Sequence, residues 1–180
     1  MTMREQAKCI LYDCGLLDEL SQYGTPHIIG SYRMDVMAWN DLDIDIENET
    51  MSLDKLYRLS RFIIDRFHPV WYEAKEERNA EGKTVWFHGF EAHIGNALWN
   101  VDLWFFDRDT IKRAEEYCDR IARQIGERPG TREQIIRIKK ELIARGLYST
   151  DRYTSMDVYH AVLDRHIADA QGMIADRERG

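Results

Sequence analysis

Cysteine and proline are scarce in this 180-residue chain, at 3 each, and no apolar run approaches the ~20 residues a membrane-spanning helix needs. Cys9, Cys14 and Cys118 are odd in number and lack the close pairs of a zinc ribbon. Neither a disulfide framework nor a structural zinc is expected, and the three are read as ordinary reduced core residues. Positive charge is also short: 25 Lys and Arg face 32 Asp and Glu, a formal net charge of -7. A duplex nucleic acid needs clustered cations to replace its counterions, so that partner is not expected, whereas a small or cationic substrate is easily accommodated. The polar start Met1-Thr2-Met3-Arg4-Glu5-Gln6 has no signal-peptide core. With no membrane segment either, the expected compartment is the cytoplasm. Internal repeats, low-complexity tracts and Pro/Ser-rich linkers are absent too.

What is present suits a globular fold, since 44% of residues are hydrophobic. Short strand-like runs mix with helices up to Asp107, and helical segments follow one another beyond it. The chain therefore reads as a core over 1–107 and a helical region over 108–180 packed on it. Apolar spacing predicts a broken helix over Met3 to Tyr23, interrupted at Gly15, and a short one over Tyr32 to Met37. Ser52 is placed to cap a helix ending before Pro69, with Leu53, Leu56, Tyr57, Ile63, Ile64 and Phe67 as its apolar stripe. Further helices are expected over Thr110 to Ile125, Thr131 to Arg145 and Thr154 to Ile174, with Thr131 and Gln134 at capping-box spacing. Strands are expected at His27-Ile28-Ile29, Asp41 to Ile46, Val70 to Glu76, Thr84 to Ile94 and Ala97 to Phe106. Gly95-Asn96 makes a two-residue turn between the last two.

Side chains alternate along a strand, so Asp41, Asp43 and Asp45 project from one face while Leu42, Ile44 and Ile46 project from the other. Like charges repeating every ~7 Å repel, and a cation shared among them relieves the repulsion. Magnesium suits, because it takes one or two carboxylates together with phosphate oxygens. Upstream, Ile28-Ile29-Gly30-Ser31 leads from a strand to a helix start, where free N–H groups favour an anion. Gly30 and Ser31 are candidate phosphate contacts. Arg33 could reach a further oxygen, or simply make a surface ion pair.

Gly30-Ser31, a spacer from Tyr32 to Asn40, and Asp41-Leu42-Asp43-Ile44 together resemble the signature of the nucleotidyltransferase superfamily. The members it looks most like are small bacterial proteins: antibiotic nucleotidyltransferases and minimal stand-alone domains. The resemblance implies an α/β (α+β) fold, with a small mixed sheet, helices on one face and helices C-terminal to it. It also implies that two signature acids and a third on a later strand hold the magnesium that carries a nucleoside triphosphate such as ATP. Asp41 and Asp43 fit the spacing best as the pair, and a register using Asp43 and Asp45 remains open.

The third acid belongs in an apolar strand, and Asn100-Val101-Asp102-Leu103-Trp104 supplies one through Asp102. Counting back from the Gly95-Asn96 turn sets Gly89 opposite Asp102 and Glu91 opposite Asn100. Gly89, Glu91, His93, Asn100 and Asp102 then share a face, with Gly89 a gap a ligand could enter and Glu91 a candidate general base. His88 and His93 fall on opposite faces and cannot ligate one ion. Among the aromatic residues only Trp104, on the Asp102 face, is a candidate to stack a base. The expected reaction is transfer of a nucleoside monophosphate to a hydroxyl of a small molecule, releasing pyrophosphate. An RNA end or partner protein as acceptor, as in toxin–antitoxin pairs, and a non-catalytic nucleotide-binding module are the alternatives. A homodimer is left open.

Overall fold

The computed structural model describes residues 1–179. Its contacts gather into two units, one of Met1–Arg33 with Asn40–Cys118 and the other of Met34–Trp39 with the chain from Asp119 onward. No helix among the described residues is long and apolar enough to cross a membrane.

The first unit opens with α1 (Met3–Lys8), whose N-cap Thr2 and Glu5 form a capping box. A π-helical turn at Cys9–Asp13 and α2 (Leu16–Leu20) follow. Gly15 makes the break between them at φ 76, a conformation that favours glycine. Next come β1 (Thr25–Ile28), α3 (Gly30–Arg33), β2 (Asp41–Glu47), α4 (Leu53–Phe67), β3 (Trp71–Arg78), β4 (Thr84–Ile94), β5 (Ala97–Phe106) and the first part of α5 (Arg108–Glu127), which the first unit shares up to Cys118. The short helix thus lies earlier than its apolar pattern suggested, and the chain turns at Asp35, which has a positive φ of 56.

The five strands form one sheet in the order β1-β2-β5-β4-β3, with β2 and β5 parallel and every other pair antiparallel. The turn Gly95-Asn96 pairs Ile94 with Ala97 and fixes Gly89 opposite Asp102 and Glu91 opposite Asn100, as counting predicted. On one face Leu42, Ile44, Ile46, Val101, Leu103 and Phe105 are buried to 1% exposure or less. α4 covers this face: Phe67 meets Phe90 with ring centroids 5.0 Å apart, and the Tyr72 hydroxyl reaches Ser60. Its packed stripe is Leu56, Leu59, Ile63 and Phe67. Leu53, Tyr57 and Ile64, assigned to that stripe from sequence, are exposed instead. The i, i+3, i+7, i+11 row faces the sheet with Ser60 beside it, and the positions of Leu53, Tyr57 and Ile64 further around the helix point to water.

His88 sits on the same covered face. It has no exposed surface, and its Nδ1 lies 3.0 Å from the Tyr72 hydroxyl. Burial lowers its pKa to about 4, so the imidazole is neutral in the fold. At the end of β5, Asp107 accepts from Thr110 N–H at 2.9 Å and from Lys83 Nζ at 3.0 Å. These bonds draw its pKa down to about 2 and start α5.

The second unit contains α6 (Thr131–Ala144), α7 (Ser155–Leu163) and α8 (Ala170–Arg179). The N-cap of α6 is Gly130 at φ 83, not Thr131. Thr131 is buried, and the Gln134 amide donates to Ile167 and Ala168 carbonyls rather than to the helix start. Where a single helix was expected over Thr154 to Ile174, the chain leaves α7 after Leu163, passes His166 at φ 56 and begins α8 at Ala170. Lys139, 1% exposed, donates to the Val36 carbonyl and the Tyr159 hydroxyl, both at 3.3 Å, which ties segment 34–39 to this unit.

Candidate active site

The face of the sheet opposite α4 carries the polar residues. Parallel pairing of β2 with β5 sets Asp43 abreast of Asp102 and Asp41 abreast of Asn100. Asp41, Asp43 and Asp102 each offer a carboxylate oxygen lying within 4.8 Å of the others, and all three are half-buried. Asn100 Nδ2 donates to Asp41 Oδ1 at 2.8 Å, which fixes one carboxylate. Burial, with a smaller push from Glu73, raises the Asp102 pKa against an opposing hydrogen bond from Asn100. Three carboxylates this close repel one another when ionised, and a hard divalent cation shared among them would relieve that repulsion.

Gly30 begins α3 at φ 65, and a Cβ there would lie 2.0 Å from Asp43 Oδ2. The backbone therefore passes directly over the Asp43 carboxylate, an approach closed to any other residue. Ile29 N–H donates to the Asp43 carbonyl at 3.1 Å and holds this crossing in place. Ser31 follows and is buried.

Asp45 faces the same way as Asp41 and Asp43 but lies outside their cluster. It is 3% exposed, and burial, reinforced by the nearby Glu115 charge, raises its pKa to about 7. Arg33 Nη1 donates to Glu115 Oε1 at 2.9 Å. His27 Nδ1 lies 3.1 Å from the same oxygen. Burial raises the Glu115 pKa, yet these two partners outweigh it and leave the carboxylate below its ordinary range. Sequence reasoning missed Glu115 entirely. Nothing in the helical pattern of α5 marks which glutamate reaches a residue 88 positions away.

Glu91 stands on β4 opposite Asn100 on one side and Trp71 on the other, half-buried and outside the 4.8 Å cluster. Gly89 is not the gap expected from its missing side chain. A Cβ there would meet Phe87 ring atoms at 2.5 and 2.8 Å and Trp71 Cζ3 at 3.0 Å, so two rings fill the space. His88 and His93 fall on opposite faces as alternation requires, His88 buried and His93 exposed.

The five-stranded mixed sheet carries an aspartate pair on β2, a third aspartate abreast on the parallel β5 and a glycine crossing beside them, and its fold is the nucleotidyltransferase fold of the solved structures it resembles. No protein-family model matches the sequence, and no curated protein matches it. Among solved structures it is similar to the Cid1 poly(U) polymerase bound to MgGTP, with a TM-score of 0.62 and 14% identity, over 89% of this chain and 49% of that one. The poly(A) polymerase complex GLD-2–GLD-3 gives a TM-score of 0.60 at 12% identity, over 89% and 53%. A cytoplasmic RNA terminal U-transferase gives 0.57 at 14%, over 89% and 47%. The chain thus spans about half the length of the structures it matches.

Proposed function

We propose that this chain is a metal-dependent nucleotidyltransferase that moves a nucleoside monophosphate from a triphosphate to an acceptor hydroxyl. The observation that carries this reading is the convergence of Asp41, Asp43 and Asp102 within 4.8 Å beneath the Gly30 crossing. In it, the three aspartates hold magnesium, and Gly30 and Ser31 hold phosphate. When bound there, the ion would neutralise the triphosphate and the charge that develops on the leaving pyrophosphate. The acceptor oxygen forms a bond to the α-phosphorus as the bond from that phosphorus to the β-phosphate bridge breaks. The hydroxyl proton passes to a carboxylate, for which Glu91 is the proposed base. Arg33, held by Glu115 at the end of α3, is the proposed further phosphate contact.

A small-molecule hydroxyl is the acceptor favoured by charge, because the net charge of -7 and the acids lining this face repel a polyanion. An RNA 3′ end is the second reading, favoured by the likeness to poly(U), poly(A) and terminal U-transferring enzymes. Incubation with α-labelled triphosphates and magnesium, in the presence of either acceptor type, tests both. Pyrophosphate release is expected to fall roughly 10²-fold or more in Asp43→Asn, and by ~10²–10⁴ in Glu91→Gln with triphosphate binding retained. Undiminished release in Asp43→Asn would refute the reading.

A further inference from the structure

We propose that the open edge of β3, with the flank of α4 above it, is a dimerisation surface that takes the same edge of a second copy of this chain, antiparallel, with Ala74 opposite Ala74. β3 ends the strand order β1-β2-β5-β4-β3, so β4 pairs with one side of it and its other side has no ladder partner among the described residues. The backbone groups of such an edge are a template for a further strand.

Apolar surface gathers beside that edge. Among the described residues eleven large apolar side chains stay exposed, and five of them lie here: Leu53, Tyr57 and Ile64 on α4, with Val70 and Trp71 around the start of β3. Each keeps between 42% and 66% of its surface in water. Ser60 falls in the α4 row between Tyr57 and Ile64 and accepts a hydrogen bond from the Tyr72 hydroxyl, so this row overhangs the edge strand. The opposite flank of α4 is already occupied. Arg66 donates there to the Cys14 and Asp13 carbonyls at 3.0 and 3.2 Å, and Arg58 lies 5.9 Å from the Tyr23 ring centroid. An apolar patch of this kind, continuous with an open strand, marks a surface for association.

Charge selects a second copy and its register. Trp71, Glu73, Lys75 and Glu77 alternate along β3 with Tyr72, Ala74 and Glu76, which take the α4 side. A twofold axis through Ala74 sets Glu73 of each copy against Lys75 of the other, and Tyr72 of each against Glu76 of the other. Centring the axis on Lys75 instead would oppose Lys75 to itself and Glu73 to Glu77, while centring it on Glu73 would oppose Glu73 to itself. Unlike charges across a strand pair stabilise it and like charges do the reverse, so the Ala74 register is the complementary one of the three. The charges that keep unrelated strands off this edge thus match its own copy. The two α4 flanks then face each other across the seam on one side of the joined sheet, and both aspartate triads stay on the other side.

Sedimentation equilibrium on the full chain, over a concentration series reaching ~100 µM, tests this. Wild type is expected at twice the 21.3 kDa of one chain. Glu73→Lys and Lys75→Glu each place like charges across the seam and are expected to weaken self-association about tenfold or more. Mixed in equal amounts, the two variants are expected to associate with each other as wild type does, because every charged pair across the seam is again unlike. A purely local role for either residue gives no such rescue. The double variant Glu73→Lys/Lys75→Glu restores the same pairs within one chain and serves if a single variant melts early. A single-chain mass for wild type throughout the series overturns the proposal. So does undiminished self-association in both single variants, or failure of the mixture and the double variant alike to associate. None of these results bears on nucleotidyl transfer, which the triad variants test separately.

Discussion

At Gly30 the main chain and the Asp43 carboxylate occupy adjoining space, with 2.0 Å left for any Cβ. A methyl group there must displace the aspartate or the crossing strand-to-helix segment, and the positive φ of 65 adds backbone strain. Gly30→Ala is accordingly expected to lower kcat/KM roughly 10²-fold, the scale seen when reacting groups are misplaced by about an ångström, while the protein remains folded. Steady-state kinetics beside a melting curve separate the two effects. Asp41, Asp43, Asp102 and Gly30 were legible because each carries its own local pattern: strict alternation, an apolar strand around an acid, a glycine between strand and helix. Glu115 was not legible, since its contacts with Arg33 and His27 join α5 to β1 and α3 across more than 80 positions. Gly89 was read only halfway. Its register followed from the turn, but the rings of Phe87 and Trp71 that fill its missing side chain depend on rotamers that no spacing rule supplies.

Among the elements, β4 does two jobs at once, because its alternate residues face the triad and the α4-packed core. His88 belongs to the second set, with a pKa lowered to about 4 by burial. An unfolded histidine titrates near 6.5, so the fold gains stability from the neutral ring above that pH and loses it as pH falls toward 4. Between pH 7.5 and pH 5 the loss amounts to roughly 2 kcal/mol. His88→Gln is expected to show a smaller drop in melting temperature over that interval than wild type, and an equal drop contradicts the assignment. Turn chemistry made the β4–β5 hairpin readable to the residue. The helices of the second unit were less so. An unbroken apolar rhythm concealed the stop after Leu163 and the positive φ of His166 that follows it, a conformation no periodicity encodes.

Across the whole molecule, the parallel pairing of β2 with β5 brings distant carboxylates together, with α4, β3 and β4 intervening in the chain. Alternation could place Asp43 and Asp102 on polar faces; only the strand order makes those faces one. The same order separates Asp45 from the cluster although it shares their alternation, burying it to 3% exposure near Glu115. The choice between an Asp41/Asp43 pair and an Asp43/Asp45 pair thus becomes a difference between a half-open cluster and a sealed acid. Thermal shift with magnesium and each of the four triphosphates, on wild type, Asp43→Asn and Asp45→Asn, reads that difference directly. Wild type and Asp45→Asn are expected to rise in melting temperature on adding magnesium with a triphosphate, while Asp43→Asn stays flat. An equal rise in Asp43→Asn, or loss of the response in Asp45→Asn alone, would contradict the account.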